Sequence, residues 1–452
     1  MNSSFQGLLV CHFATLLFLK DLGWLLMAAD THIHAPQYPN SGLFGSSTLL
    51  DWLQTYTFPL EKSFGYPNSD TVPSQAALNY DKVVSRTLSH GTTCAAYYAT
   101  THIPAANYLS SLCHNRGQRA LIGRVCMDRE DICPDGYRDS SSDEAIDATK
   151  AMISHIQSID PTGELVKPIL TPRFAPACSE GCLAGLGALA RAYNPPLHIQ
   201  THIAESKNEV SLVKELYPSV TSYADVYDQA NLLTPRTILA HGIYFSPSER
   251  ELIHARQSKV SHCPASNSAL GSGICPVRVL LDSGITVGLG TDVSGGYSPS
   301  ILEAVRQACL VSRLLRHTAS YQRDAGEDDD DDEGRERLSV EEALYLATRG
   351  GAAVVDMADE IGGFDVGMTF DAQLVQLGSC SPNFIAKSEN GIWAVSNVDL
   401  FGKESWTEKV HKWVWNGDDR NVKMVWVRGK LVHVREDVTN ESEAEREGER
   451  ED

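Results

Sequence analysis

Two histidines, His32 and His34, stand two residues apart at the end of an apolar run that reads as a strand. Side chains at i and i+2 of a strand share one face, so both imidazoles could share one metal ion. Alone, an HxH is weak evidence. Its weight comes from His202, His241 and Asp292, each at the end of a further apolar run of strand character. Imidazoles with one carboxylate suit a borderline-soft divalent ion, with zinc the default and iron the second choice. Separately satisfied core histidines are the bland alternative, but a whole set of buried polar groups would each demand a partner. A divalent cation there lowers the pKa of its water from about 15.7 to about 7, which makes hydroxide available at neutral pH. Glu205, three residues beyond His202, is placed to take the water proton and return it to a ring nitrogen or leaving amine. Its bland reading is a helix-capping carboxylate. Asp292 is a second candidate for proton traffic. Lys167 lies near the start of the fourth strand and not at its end, where a carbamate could bridge a second metal, so one ion per chain is expected.

These residues need a scaffold that brings strand ends together. Between His34 and about Met357, short apolar runs alternate with helix-like segments, the pattern of repeated βα units. Candidate strands are Trp24–His34, Gly91–Thr101, Ala120–Met127, Val166–Phe174, Leu197–Ile203, Thr237–Tyr244, Lys259–Pro264 and Ile285–Thr291. Eight such units predict an α/β fold of the TIM-type (β/α)8 barrel, with chemistry on the rim where the strands end. An open doubly wound sheet would want a Gly-rich phosphate turn after an early strand, and none is present. Residues 24–357 are read as the barrel and 1–23 as an atypical N-terminal segment.

Inside the barrel, residues 324–337 hold an almost purely acidic run from Glu327 to Glu333, read as a disordered loop; it lacks the spaced ligands of a calcium loop. Ser339 and Glu342 form a capping box for the helix that follows. Phe370–Leu377 and Val422–Val434 read as strands, the latter with a hairpin turn at Gly429 and Lys430. Residues 358–438 are therefore expected to form a small β-sandwich, and 439–452 a charged, disordered tail. The 42% hydrophobic content is ample for one large domain and a smaller one. A formal charge of −20 leaves no basic stripe for phosphates, which argues against a nucleic-acid partner. Eleven cysteines, odd in number and without framework spacing, fit a reduced intracellular compartment without structural disulfides. The apolar run Leu8–Leu19 ends at Lys20 and Asp21, too short to span a bilayer, so no membrane partner is expected.

With these residues in view, the sequence resembles the guanine deaminases, a family of the amidohydrolase superfamily, from Asp30 to about Val434. The resemblance is carried by DTHIHAPQYPN (Asp30–Asn40), STLLDWLQTYTFPLE (Ser47–Glu61), PRFAP (Pro172–Pro176), THIAES (Thr201–Ser206), AHG (Ala240–Gly242), HCPASN (His262–Asn267) and GTDVSGG (Gly290–Gly296). Amidohydrolases in general share the HxH, the two later histidines and the Asp; HAPQYPN and PRFAP are much narrower. The resemblance implies one zinc held by His32, His34, His202 and Asp292, with His241 beside it touching water and substrate. It further implies that Gln37 and Arg173 hydrogen-bond guanine, that Phe174 adds backbone or ring contacts, and that His202 also meets the substrate. Guanine would be hydrolysed at C2 to xanthine and ammonia by a cytoplasmic homodimer. The chemistry agrees: an Arg fork can donate to O6 or N7, and a Gln amide offers both a donor and an acceptor.

Without the motifs, Arg173 reads as a surface salt bridge and Gln37 as a loop cap. Cys263 and Asn267 read as packing and turn residues. Trp52, Tyr56 and Phe58 read as a packed helix that can also wall a pocket or form a subunit interface. Guanine deaminases usually carry several dozen residues ahead of DTHIH that add strands to the small domain. Here 29 residues precede Asp30, so the small sheet is expected to be incomplete, with exposed edges. Two other functions compete: deamination of another aminated heterocycle (8-oxoguanine, a pterin or a triazine), and a non-catalytic scaffold on an amidohydrolase barrel. The zinc deaminases that use HxE with PCxxC are excluded, since that signature is absent.

Overall fold

The computed structural model describes residues 18–19, 22–26, 28–66, 69–318, 334–378 and 396–435. Parallel strands covered on both faces are buried along their whole length, and the first barrel strands show it. All seven residues of Ala28–His34 and of Thr92–Tyr98 are buried.

In chain order the strands are β1 (Phe18–Leu19), β2 (Leu22–Leu26), β3 (Ala28–His34), β4 (Thr92–Tyr98), β5 (Arg119–Gly123), β6 (Val125–Cys126), β7 (Val166–Pro172), β8 (His198–Ile203), β9 (Thr237–His241), β10 (Lys259–His262), β11 (Val287–Leu289), β12 (Ala372–Gln376), β13 (Val422–Val427) and β14 (Lys430–Val434). The barrel runs β3-β4-β5-β7-β8-β9-β10-β11, all parallel, with β6 extending the β5 position alongside β7. Register matters at the ends that carry chemistry: His34 lies opposite Tyr98, His202 opposite Ala240, and Ile203 opposite His241. The ring is closed between β11 and β3 by single bonds. The Thr31 hydroxyl donates to the Leu289 carbonyl at 2.9 Å, and the backbone N–H groups of Asp292 and His34 donate to His32 O and Val293 O at 2.8 and 3.1 Å. Closure therefore sets Asp292 beside the HxH.

The outer helices start where the side chains say they should. Ser206 with Glu209, Ser246 with Glu249, and Ser339 with Glu342 all make reciprocal capping boxes.

The small domain is one five-stranded antiparallel sheet among the described residues, ordered β1-β2-β12-β13-β14. By its apolar pattern Trp24–His34 reads as a single barrel strand. The structure divides it: Leu22–Leu26 pairs antiparallel with Ala372–Gln376, and only Ala28–His34 enters the barrel. The run from Leu22 to Ala29 is apolar on both sides of the crossing, so periodicity could not mark the change of sheet. Leu22–Leu26 thus serves the small sheet as a partner of β12. The β13–β14 turn sits on Arg428 and Gly429, one residue earlier than expected, both in the left-handed region at φ +53° and +74°. Sheet and barrel are joined by a buried ion pair. Arg119 donates through Nε to Asp371 Oδ2 at 2.8 Å and through a terminal nitrogen to Oδ1 at 3.2 Å, each side chain 1% exposed.

Nine described cysteines are free and buried. Among the described residues no helix is long and apolar enough to cross a membrane. The acidic run Glu327–Glu333 and the tail from Asn440 lie outside the described residues.

Candidate active site

Four strand ends deliver one cluster. His32 and His34 close β3, His202 sits near the end of β8, His241 closes β9, and Asp292 follows β11 by three residues. Ligand atoms from His32, His202, His241 and Asp292 all lie within 4.8 Å of one another. His34 borders the same point: its Nε2 is 3.0 Å from His202 Nε2 and 3.4 Å from Asp292 Oδ1. His32 Nε2 approaches Asp292 Oδ1 at 3.1 Å, and His241 Nε2 approaches Oδ2 at 3.8 Å. Yet the Nε2 atoms of His32 and His241 make no well-aligned hydrogen bond, although both are buried. Buried ring nitrogens aimed at one carboxylate without a shared proton are the arrangement a divalent cation satisfies.

The backbone is bent to achieve this. His241 and Asp292 adopt φ of +75° and +48°, a region that costs a non-glycine residue on the order of 1–3 kcal/mol and collects at functional sites. Gly290 is required for close approach: a Cβ there would stand 2.7 Å from Ser261 Oγ and 2.8 Å from His32 Cβ.

Electrostatics match a ligand role. Burial, reinforced by neighbouring imidazoles, holds His34 and His202 well below the usual histidine range, so both are neutral donors. Burial likewise lowers His32. For Asp292 burial works upward, but His32, His241 and His34 outweigh it and keep the carboxylate ionised. His241 goes the other way: burial lowers it, and Glu205 and Asp292 together raise it. Ring orientation is set from outside. His202 Nδ1 lies 2.5 Å from the Arg173 carbonyl oxygen, and His241 Nδ1 lies 2.8 Å from Asn267 Oδ1. Each contact places the proton on Nδ1 and leaves Nε2 free to face the cluster. Asp30, pushed up to about 7 by burial, accepts from the Thr291 backbone and hydroxyl at 3.0 and 2.5 Å, pinning β3 to the segment that carries Asp292.

Glu205 stands at the edge of the cluster, with Oε2 3.4 Å from His241 Nε2 and Oε1 accepting from the Ser272 hydroxyl at 3.1 Å. Burial pushes it up to about 7, against the pull of His241. A carboxylate with that pKa can both take and return a proton near neutrality. It is not merely the helix cap: Ser206 caps the helix, and Glu209 closes the box.

Beside the cluster opens a pocket lined on its polar side by His34, His202, Asp292, Glu205, Gln37 and Arg173, with Phe174 also on the wall. Leu49, Trp52, Leu53 and Leu270 supply the apolar remainder, so the lining combines apolar walls with a few convergent polar groups. Trp52 is thus both packed and pocket-lining. Arg173 is no surface residue: it is 2% exposed, and its guanidinium stacks 4.9 Å from the Phe58 ring centre.

Three neighbours escaped the sequence reading. Glu61 receives Arg173, Gln37 and Tyr137; Asn267 orients His241; Ser272 orients Glu205. Glu61 and Asn267 lie inside quoted motifs, but an Asn in HCPASN reads as a turn and a Glu on a helix reads as solvated.

The sequence profile of the amidohydrolase family matches residues 28–432, and the chain belongs to that family. Its relatives narrow the class. A Schizosaccharomyces pombe protein named probable guanine deaminase is 47% identical over 420 residues, which is 93% of this chain and 73% of that protein. The guanine deaminase of Homo sapiens is 40% identical over 403 residues, 89% of this chain and 81% of that one. The crystal structure of guanine deaminase from C. acetobutylicum with bound guanine in the active site aligns with a TM-score of 0.76 at 31% identity, covering 91% of this chain and 87% of that chain.

Proposed function

We propose that this chain deaminates guanine, converting it with water to xanthine and ammonia, with one zinc ion per chain. The observation that carries the reading is that Arg173 and Gln37 share one buried pocket with Asp292, His202 and Glu205. A base-reading edge and a hydrolytic edge therefore face the same space.

His32, His34, His202 and Asp292 would hold the ion, with His241 alongside. Three imidazoles and a carboxylate are the donor set zinc prefers. When bound, the ion supplies Lewis acidity that makes water acidic enough to lose a proton near neutral pH. The protein does the rest. Arg173 donates toward the O6 or N7 acceptors of the base, and Gln37 offers an amide to its complementary edge. Phe174 and Trp52 line the pocket and would confine the ring plane, with C2 directed toward Glu205 and Asp292. Glu205 takes a proton from the attacking water and delivers it to the ring nitrogen beside C2. The new C2–O bond forms, the C2–N bond breaks, and the amine leaves as ammonia with a proton relayed by Glu205 or Asp292. His241, raised in pKa by its two carboxylates, is suited to hydrogen-bond the oxygen as charge develops there. A homodimer in the cytoplasm completes the proposal, the oligomer to be read by analytical ultracentrifugation.

The test is a side-by-side rate comparison of the purified, zinc-loaded chain on guanine, 8-oxoguanine, adenine, cytosine, a pterin and a triazine. Guanine should give the highest kcat/KM. Turnover of another heterocycle with no ammonia from guanine would overturn the substrate, and stoichiometric absence of metal would favour a scaffold.

A further inference from the structure

We propose that Glu61 is the positioning residue of the substrate-reading edge, holding Arg173 and Gln37 in the one arrangement that presents them to a neutral planar base. The inference rests on the function proposed above.

Four distant segments meet at this carboxylate. Glu61 comes from helix Phe58–Lys62, Gln37 from the turn Ala35–Asn40 after β3, Arg173 from the end of β7, and Tyr137 from the connection after β6. Glu61 Oε2 accepts from Arg173 at 2.5 Å and from the Tyr137 hydroxyl at 2.6 Å; Oε1 accepts from Gln37 Nε2 at 2.7 Å and from Arg173 at 3.2 Å. A carboxylate has about four acceptor sites, so Glu61 is saturated and leaves nothing for a substrate. Its work is done through its neighbours.

That work is specific. The Gln37 amide cannot flip, because its Nε2 donates to Glu61 while its Oε1 accepts from the Ser294 backbone at 3.2 Å. It must therefore offer the pocket its second N–H and its remaining lone pair. Arg173 is held twice by Glu61 and stacked on Phe58, which fixes the plane of its fork. Glu61 also cancels the arginine charge, so the pocket offers donors without the net positive field that would favour an anion. Stability alone is a poor explanation of such a site, since a buried ion pair is often no better than a well-packed apolar pair.

The experiment uses the zinc-loaded full chain. Glu61→Gln should keep the parental metal content, because the metal cluster is untouched. Its kcat/KM on guanine should fall about 10- to 100-fold, carried mainly by KM, as expected when an outer partner of a functional group is lost. Glu61→Asp, which keeps the charge, should recover part of the loss. Glu61→Gln combined with Arg173→Gln should lose less than the product of the single losses, because both act through one contact. A KM within twofold of the parent, or losses that multiply in the double variant, would overturn the proposal. If Glu61→Gln does not fold, Tyr137→Phe removes one contact while leaving the Arg173 pair. Its KM should then rise about 2- to 10-fold at constant kcat, and an unchanged KM would count against Glu61. A parent that releases no ammonia from guanine overturns the function instead. Glu61 is then judged by calorimetric binding of guanine to the same variants, with weaker binding expected and equal binding refuting it.

Discussion

Replacing Glu205 with glutamine isolates proton transfer from everything else in the site. Glutamine is isosteric, and its amide oxygen can still accept from the Ser272 hydroxyl, now 3.1 Å from Oε1. Glu205 is not among the residues whose ligand atoms cluster, so the metal donors remain complete. What disappears is the carboxylate oxygen 3.4 Å from His241 Nε2. A positioned general acid–base contributes about 10²- to 10⁴-fold, equivalent to about 2.7–5.4 kcal/mol of transition-state stabilisation. The Glu205→Gln chain should therefore retain metal by elemental analysis and show a kcat for ammonia release lower by that factor. KM should stay within about threefold, since base recognition rests on Arg173 and Gln37. A kcat within tenfold of the parent would remove Glu205 from proton transfer. Loss of the metal in this variant would show it to be a ligand, and the division of roles would be wrong.

Other perturbations probe the frame. Arg119→Met strands the buried Asp371 carboxylate and should lower unfolding free energy by about 3–5 kcal/mol in urea titrations; Arg119→Met with Asp371→Leu should regain most of it, and equal loss in both would contradict the pairing. Asn267→Ala frees the His241 ring and should cut kcat by about 10- to 100-fold with metal retained, whereas unchanged kcat would show that the ring needs no such support. His198, at the start of β8, is lowered to about 3 from 6.5 by burial and then by Arg236. Between those values the unfolded chain binds a proton that the native chain refuses, so stability is full above pH 6.5 and falls as pH drops toward 3. The slope from this group is at most about 1.4 kcal/mol per pH unit. Denaturation midpoints should show that decline, and His198→Gln should flatten it; identical pH dependence in both proteins would refute the assignment.

The barrel was readable because short, largely apolar runs recur between helix-like segments and several of them end in a His or Asp at the rim. His32, His34, His202, His241 and Asp292 all sit at such junctions, and the structure draws ligand atoms of His32, His202, His241 and Asp292 within 4.8 Å of one another, with His34 bordering them. The crossing from small sheet to barrel was not readable. Nothing in the chemistry of Leu22 to Ala29 distinguishes an edge of one sheet from the start of another; that depends on β12, about 350 residues later. Arg173 and Gln37 were singled out by motif, not by physics, since an isolated Arg after a strand is ordinarily solvated. Glu61 was hidden for the same reason. Its burial follows from three partners far along the chain, a property that no local pattern encodes.

Imidazoles and a carboxylate from the barrel rim are expected to converge on one cation beside a base-reading pocket. Anomalous diffraction at the zinc edge from crystals of the purified chain tests it directly. One peak per chain is expected between Asp292 and the imidazoles, about 2.0–2.1 Å from the ring nitrogens. A zinc peak elsewhere, or an empty cluster in protein that still releases ammonia from guanine, would contradict it.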